Sequence, residues 1–371
     1  MRRPTPDAAA TLSGRMANLE IGIVGLPNTG KTSVFNALTN AGAAVTAYGA
    51  TSASANVGVA PVPDRRLEDL AEAVGSREII PVSVQFVDVS GLSRGGAKGG
   101  TLGGELLGHL RAADAIIHVV RTFPDEDVAH VEGRVDPVAD AEAVDLELVL
   151  ADHALVERRI ERGAKLARTG QKAARDEAPV LERLLAHLDE GLPARTLGEP
   201  LPSALDLLTT KPLLYVANTS ESGDAQAVAR LREYAAPVQV VPVAAKFEAE
   251  LAELDDPAER TAFLAEIGQD QAGMPRVAAA AFGLLDLIQF FTVGPKEARA
   301  WPIRRGGSAV EAAGKIHSDI ARVFIRAEVI PWQELVASGS HTEAAKRGVQ
   351  RVEGRDYRVA DGDVINVRFN V

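Results

Sequence analysis

Short apolar runs rich in Val and Ile recur along the chain at 19–25, 56–62, 83–89, 115–121, 212–218 and 237–243. They are mostly unbroken rather than alternating, which is how strands buried on both faces of a parallel sheet read. Segments with helical spacing lie between several of them, at 32–39, 64–74 and 102–112. Strand, helix and strand in succession predict a doubly wound α/β sheet.

The alternation stops after residue 121, and about ninety residues pass without a strand signal. Within that gap Val144, Leu148, Ala151, Leu155 and Ile160 fall near helical spacing over 141–168. Val180, Leu181, Leu184, Leu185 and Leu188 repeat the pattern over 178–189, and the polar stretch 168–176 reads as a tip. This predicts an antiparallel, coiled-coil-like helical hairpin over 141–204, inserted into the sheet domain. The texture changes again after Asp286. Strands are expected at 287–293 and 298–303, a helix from about Ser308, and a terminal hairpin of 357–359 with 364–369 turning through Asp361-Gly362-Asp363. The expected organisation is therefore a disordered leader over 1–17, a discontinuous nucleotide-binding domain over 18–140 and 205–285, the helical insert, and a small α+β domain of ubiquitin-like size over 286–371.

Composition narrows the function classes. The chain has 371 residues, enough for more than one core. It has no cysteine, which excludes disulfides, thiolate chemistry and Cys-ligated zinc and suits a cytoplasmic setting. No apolar run reaches the ~18 residues of a membrane helix. The net charge of −11 argues against a general nucleic-acid binder and a sequence-specific DNA reader. That charge is uneven. From Asp286 onward 13 Lys and Arg face 11 Asp and Glu, a net of +2, which leaves −13 for residues 1–285.

The chemistry sits first in Gly25-Leu26-Pro27-Asn28-Thr29-Gly30-Lys31-Thr32, which fits G-x-x-x-x-G-K-[ST] between an expected strand and an expected helix. Such a turn points successive N–H groups into an anion nest at a helix N-terminus. Asn28, Thr29, Gly30, Lys31, Thr32 and Ser33 are thus candidate phosphate-site residues. Lys31 is the catalytic cation for the β and γ phosphates, and the Thr32 hydroxyl is a magnesium ligand. Asp88-Val89-Ser90-Gly91-Leu92 follows at a strand end. Asp88 can hold magnesium through water, and Gly91 can offer an N–H to the γ-phosphate, so that the glycine-rich loop after it senses that group. Leu92 stands where many GTPases place a water-orienting glutamine, which predicts slow intrinsic turnover.

A third motif bears on the base. Guanine readers use N-K-x-D, whereas this chain has Asn218-Thr219-Ser220-Glu221. The lysine is missing and the longer Glu221 misplaces the acceptor pair. An unpaired buried donor costs about 1–3 kcal/mol, enough to remove a guanine preference. Ala244 and Ala245 lie where a final base-contacting loop belongs.

With these residues in view, the chain resembles the Obg-like ATPase family, called YchF in bacteria, over nearly its whole length after Met16. The resemblance is carried by Gly25-Leu26-Pro27-Asn28, Asn56-Val57-Gly58-Val59, Asp88 to Leu92, His118-Val119-Val120-Arg121 and Gly133-Arg134-Val135-Asp136-Pro137. It continues in Lys296 to Trp301, Ala312 to His317, Phe324 to Ala327 and Asp361 to Val364. It implies a G domain, a helical insert and a C-terminal TGS (β-grasp) domain. It also implies ATP taken in preference to GTP, magnesium, association with ribosomes, and base reading by Asn218 and the backbone of Thr219. His130 is the histidine it implicates in hydrolysis, and Asn28 is the asparagine that helps hold potassium in relatives lacking the glutamine. Two departures stand out. The first switch reads Thr51-Ser52-Ala53-Ser54-Ala55-Asn56, with Ser52 where the family has its magnesium threonine, and the second reads Thr101-Leu102-Gly103-Gly104.

The resulting expectation is a monomeric, ribosome-associated ATPase switch with magnesium and no membrane partner. A GTPase of the Obg or Era type and a nucleotide-dependent ribosome-binding module with negligible hydrolysis are the alternative readings.

Overall fold

A computed structural model describes residues 19–40, 56–88, 104–124, 133–202, 204–221, 223–254, 256–266 and 272–369. The chain divides into two compact units, Met1–Ala60 with Val84–Ala281, and Pro61–Ser83 with Phe282–Val371. Among the described residues the strands are β1 (Glu20–Val24), β2 (Asn56–Pro61), β3 (Glu78–Ile80), β4 (Ser83–Asp88), β5 (Ala115–Arg121), β6 (Leu213–Asn218), β7 (Val240–Val243), β8 (Leu287–Val293), β9 (Glu297–Arg304), β10 (Phe324–Pro331), β11 (Arg351–Glu353) and β12 (Asp363–Phe369).

The sheet of the first unit has the order β2-β4-β1-β5-β6-β7. β1 pairs in parallel with both β4 and β5, and β5, β6 and β7 continue the parallel run. All six expected strands are in it. Two of the unbroken runs carry the burial they implied, since β5 and β6 are buried along their whole length, whereas β2 is exposed at Asn56 and Val57. β1 stands where the strand order reverses, and open α/β sheets place ligands beyond the carboxyl ends of strands at that point. The helix Lys31–Asn40 starts there.

The helical hairpin is present. Its first helix, Pro137–Arg168, begins with proline at its first turn, where the missing N–H is no loss. Ala141, Val144, Leu148 and Ala151 on that helix join the core of the sheet. Further along, Val149 and Val156 pack with Leu181, Leu184 and Leu188 of the second helix, Lys172–Asp189. The tip is shorter than the polar stretch 168–176 suggested. Gly170 takes φ +92°, Gln171 N–H reaches back to Leu166 O at 3.2 Å, and the chain is helical again from Lys172. The alanines and charged residues after Gln171 are good helix formers, so polarity there marks an exposed helix.

Asp152, fully buried on the first helix, anchors the insert. It accepts from Leu208 N at 2.9 Å, Thr209 N at 2.7 Å and the Thr209 hydroxyl at 2.7 Å. Burial raises its pKa despite those bonds and the nearby Arg111.

The second unit holds a sheet of order β11-β10-β12-β8-β9-β3. β8 and β9 form an antiparallel pair, and the helix Ala309–Ile316 opens with a capping box between Ser308 and Glu311. Its Ala309, Ala312 and Ala313 pack on Ile288, Phe290 and Ile303. The edge strand β3 comes from the 61–83 stretch, in register with β9 through Glu78↔Glu297 and Ile80↔Arg299. The helix Arg65–Val74 of that stretch buries Leu67, Leu70 and Ala71. The run of residues 18–140 shows no break that would separate this excursion from the nucleotide-binding domain.

The expected terminal hairpin is corrected. β12 pairs antiparallel with β10 and parallel with β8, while 357–359 contributes only an isolated bridge between Ser308 and Arg358. The Asp363 carboxylate accepts from Ala360 N and the Tyr357 hydroxyl, each at 2.8 Å, so the turn is tied into a loop. β12 then has the longer β10 as its partner. The register shift between Phe324 and Arg326 breaks the alternation that would have announced β10 as a strand.

Candidate nucleotide-binding site

The turn after β1 depends on glycine at two positions. Gly25 takes φ +154°, and a Cβ there would lie 2.4 Å from Val119 O. Gly30 takes φ +87°, and a Cβ would lie 2.2 Å from the Asn218 side-chain nitrogen. Asn28 also has positive φ, at 63°, a conformation asparagine tolerates better than most residues. Thr29 is buried and its hydroxyl donates to Leu26 O at 2.9 Å. Gly30 O accepts from Val34 N at 2.9 Å and starts the helix.

Lys31 closes the turn on itself, with Nζ donating to Leu26 O at 2.8 Å. Burial lowers its pKa, and the charge of Asp88 partly offsets that. A desolvated ammonium held by one carbonyl is poised to exchange that partner for phosphate oxygens. The exposed Thr32 hydroxyl donates to Asp88 Oδ2 at 3.0 Å, and Asp88 is fully buried at the end of β4. A hydroxyl and a carboxylate at this separation are hard oxygen donors suited to Mg²⁺, which keeps several waters and takes few protein ligands beside substrate phosphates.

Asn218 joins the loops around this turn. Its Nδ2 donates to Thr29 O at 2.9 Å, its Oδ1 accepts from Ala245 N at 3.1 Å, and its backbone O accepts from Thr122 N and the Thr122 hydroxyl, both at 3.0 Å. The phosphate turn and the loop after β7 thus share one buried side-chain amide, and the end of β5 is tied to the same residue through its backbone carbonyl. Thr219 N–H is taken by Val243 O at 2.8 Å. A cleft of about 760 Å³ opens beside these residues. Asn28, Gly30, Ser33, Asn218, Thr219, Glu221, Ala244 and Ala245 all line it.

The same cleft brings in Phe123, Pro124 and Phe247, which motif reading missed, and Arg121, which it included without a role in the site. Arg121 is buried, donates from Nε to Phe123 O at 2.9 Å and stands 5.1 Å from the Phe123 ring centroid. A charged residue closing a strand that is otherwise apolar but for His118 was the available signal. Ser52, Gly91 and His130 lie outside the described residues.

A mostly parallel sheet with this turn at its switch point and an oxygen pair for a divalent ion beside it defines a P-loop nucleoside triphosphatase of the GTPase fold. Residues 20–152 match a family model described as 50S ribosome-binding GTPase. Residues 287–370 match one named YchF-GTPase_C and described as a protein of unknown function (DUF933). "Ribosome-binding ATPase YchF" of Bacillus subtilis is 44% identical, covering 95% of this chain and 100% of that protein. The protein of the same name from Haemophilus influenzae is also 44% identical, over 94% of this chain and 99% of its own length. A solved structure titled as the Schizosaccharomyces pombe YchF GTPase superposes with a TM-score of 0.83 at 30% identity, covering 95% of this chain and 98% of that one. The chain belongs to the YchF family.

Proposed function

We propose that this chain binds ATP in preference to GTP, hydrolyses it to ADP and phosphate, and works as a ribosome-associated switch in the cytoplasm. The observation that carries the base preference is the end of β6. Guanine reading needs a carboxylate aimed at the base. Glu221 is exposed at the cleft rim, and the neighbouring Asp224 is turned back onto Ser220, accepting from its N at 3.1 Å and its hydroxyl at 3.3 Å. Neither side chain offers guanine N1 and N2 a buried acceptor pair. The names of the bacterial relatives, which specify an ATPase and ribosome binding, support the same reading.

In the proposed mechanism Lys31 leaves Leu26 O for the β and γ phosphates, and the turn's N–H groups hold the phosphate oxygens. Thr32 and Asp88 would hold Mg²⁺, Asp88 through water, with Ser52 completing the set. The ion supplies charge neutralisation at the β and γ oxygens. Gly91 would report the γ-phosphate, His130 would orient the attacking water, and Asn28 would help hold potassium. Asn218 keeps the base cleft and the phosphate turn in one geometry.

The test is phosphate release from ATP and from GTP, in potassium and in sodium buffer, with and without ribosomes, beside Lys31→Ala. Turnover that favours ATP and disappears in the variant is the expected result. A clear preference for GTP would sink the base assignment. Binding without release under every condition would leave a nucleotide-dependent binding module.

A further inference from the structure

A second cavity of the first unit, of about 570 Å³, opens beside the root of the helical insert. It shares no lining residue with the nucleotide cleft. Glu142, Asp145 and Leu146 line it from the helix Pro137–Arg168. Tyr215 lines it from β6 and Tyr234 from the helix Ala225–Ala235. Leu192 and Arg195, on the stretch after the second insert helix, complete it.

The polar groups converge on one carboxylate. Asp145 Oδ2 accepts from the Tyr234 hydroxyl at 2.7 Å and from the Tyr215 hydroxyl as well. Its Oδ1 stands 3.4 Å from His118 Nδ1. Burial favours the neutral form of Asp145, yet His118 and the two tyrosines outweigh it and lower the pKa, so the group is ionised at neutral pH. Burial and the charge of Asp145 raise the pKa of both phenols, which stay protonated donors. A phenol that gives its proton to a carboxylate still carries acceptor lone pairs. The two rings meet edge to face, with centroids 6.4 Å apart.

The charge balance of the lining favours a cation. Among the described residues that line the cavity, Glu142 and Asp145 are acidic and Arg195 alone is basic. Nη1 of Arg195 is committed to Thr209 O at 3.2 Å. Glu142 is exposed, and its charge reaches Tyr234. Leu146 and Leu192 line the same space while remaining 48% and 41% exposed, which leaves apolar surface for a ligand to cover.

We propose that this cavity binds an organic ammonium group carried on an apolar stem. Asp145 is the counter-ion, the Tyr215 and Tyr234 oxygens are further acceptors, and Leu146 and Leu192 lie against the stem. An alkylammonium has three N–H donors and no acceptor, which matches one carboxylate and two phenol oxygens. Aromatic rings add their own attraction for a cation. The same group occurs on a free amine and on a lysine side chain of a protein, and both present this chemistry.

The experiment is isothermal titration calorimetry of the full-length protein with hexylammonium chloride, beside hexanol and hexanoate. A Kd of about 0.1–1 mM is expected for the ammonium, with both controls about ten-fold weaker or worse. Asp145→Asn should weaken hexylammonium about ten-fold or more. Glu142→Gln should weaken it about three-fold, and Arg195→Gln should tighten it about three-fold. A cluster that serves only to hold the fold predicts no such gain. Glu142 and Arg195 are exposed, so these two variants report on the site even where Asp145→Asn fails to fold. Arg183→Gln, at an exposed pair with Glu199, should bind as wild type. Nα-acetyl-lysine methylamide is titrated in parallel. Binding of both probes supports the site with a protein lysine as its source, and binding of hexylammonium alone supports it with a free amine. Equal affinity for hexanol would overturn the proposal, as would absence of binding by hexylammonium up to about 10 mM. Wild-type affinity in folded Asp145→Asn, or in both Glu142→Gln and Arg195→Gln, would overturn it too.

Discussion

Two buried polar hubs organise the first unit, and they answer to different demands. Asn218 has a neutral amide whose partners belong to two loops around the cleft, and its backbone carbonyl holds a third. Asp152 is a carboxylate whose hydrogen-bond partners belong to one turn at the root of the helical insert. Each satisfies its side chain, as a buried polar group must. The difference lies in what each holds still: Asn218 sets distances inside a binding site, whereas Asp152 fixes where a long helix leaves the sheet. Equal burial and similar bond counts therefore do not imply equal roles.

Substitution can pull the two hubs apart. The largest effect is expected for Gly30→Ala. Its Cβ would strike the Asn218 amide and sit at a φ that costs an L-residue about 1–2 kcal/mol. With the displaced amide bond adding about 1–3 kcal/mol, nucleotide affinity should fall about 100-fold or more by titration calorimetry. Affinity within a few-fold of wild type would show that the brace is dispensable. Asp152→Ala should lower unfolding stability by about 2–4 kcal/mol in urea, because it strands two backbone N–H groups and a hydroxyl. Nucleotide affinity of the folded fraction should stay near wild type, and a matching loss of affinity would erase the distinction between the hubs.

The smallest effect is a pH trend that compares Asp152 with Asp145. Burial of Asp145 favours its neutral form, but His118, Tyr215 and Tyr234 outweigh that and lower its pKa. A lowered carboxylate contributes stability above its unfolded pKa and loses it as pH falls through the folded value. Asp152 has a raised pKa, so the folded state takes its proton first and this group's contribution rises as pH falls. Thermal melts from neutral pH down to about pH 3 should therefore show wild type gaining on Asp152→Asn above the ordinary carboxylate value of 3.8, and losing its margin over Asp145→Asn only below it. Trends of the same sign would refute the assignment of causes.

Much of the first sheet was legible in sequence because burial on both faces leaves unbroken apolar runs, and the P-loop was legible because its parts are contiguous. Asn218 was found as a motif residue, but its bracing role was not, since Thr29 and Ala245 lie 189 and 27 residues away. Arg121 was read within a motif but given no place in the site, and Phe123 lies in no motif; only the fold turns them into the cleft. In the second unit local pattern misled. The Asp361-Gly362-Asp363 turn looks like a hairpin turn, yet Asp363 is spent on Ala360 and Tyr357, and the partner of β12 lies elsewhere.

The 61–83 excursion has a consequence in time. β3 finds its register on β9 at Glu78↔Glu297, a separation of 219 residues. At a synthesis rate of about 5–20 residues per second, β3 emerges roughly 10–40 s before its partner exists. During that interval the face of Arg65–Val74 carrying Leu67, Leu70 and Ala71 has nothing from 282–371 to cover it. The second unit is therefore completed by a stretch made early and kept waiting, and a fragment starting at residue 282 would lack an edge strand and a helix of its own sheet.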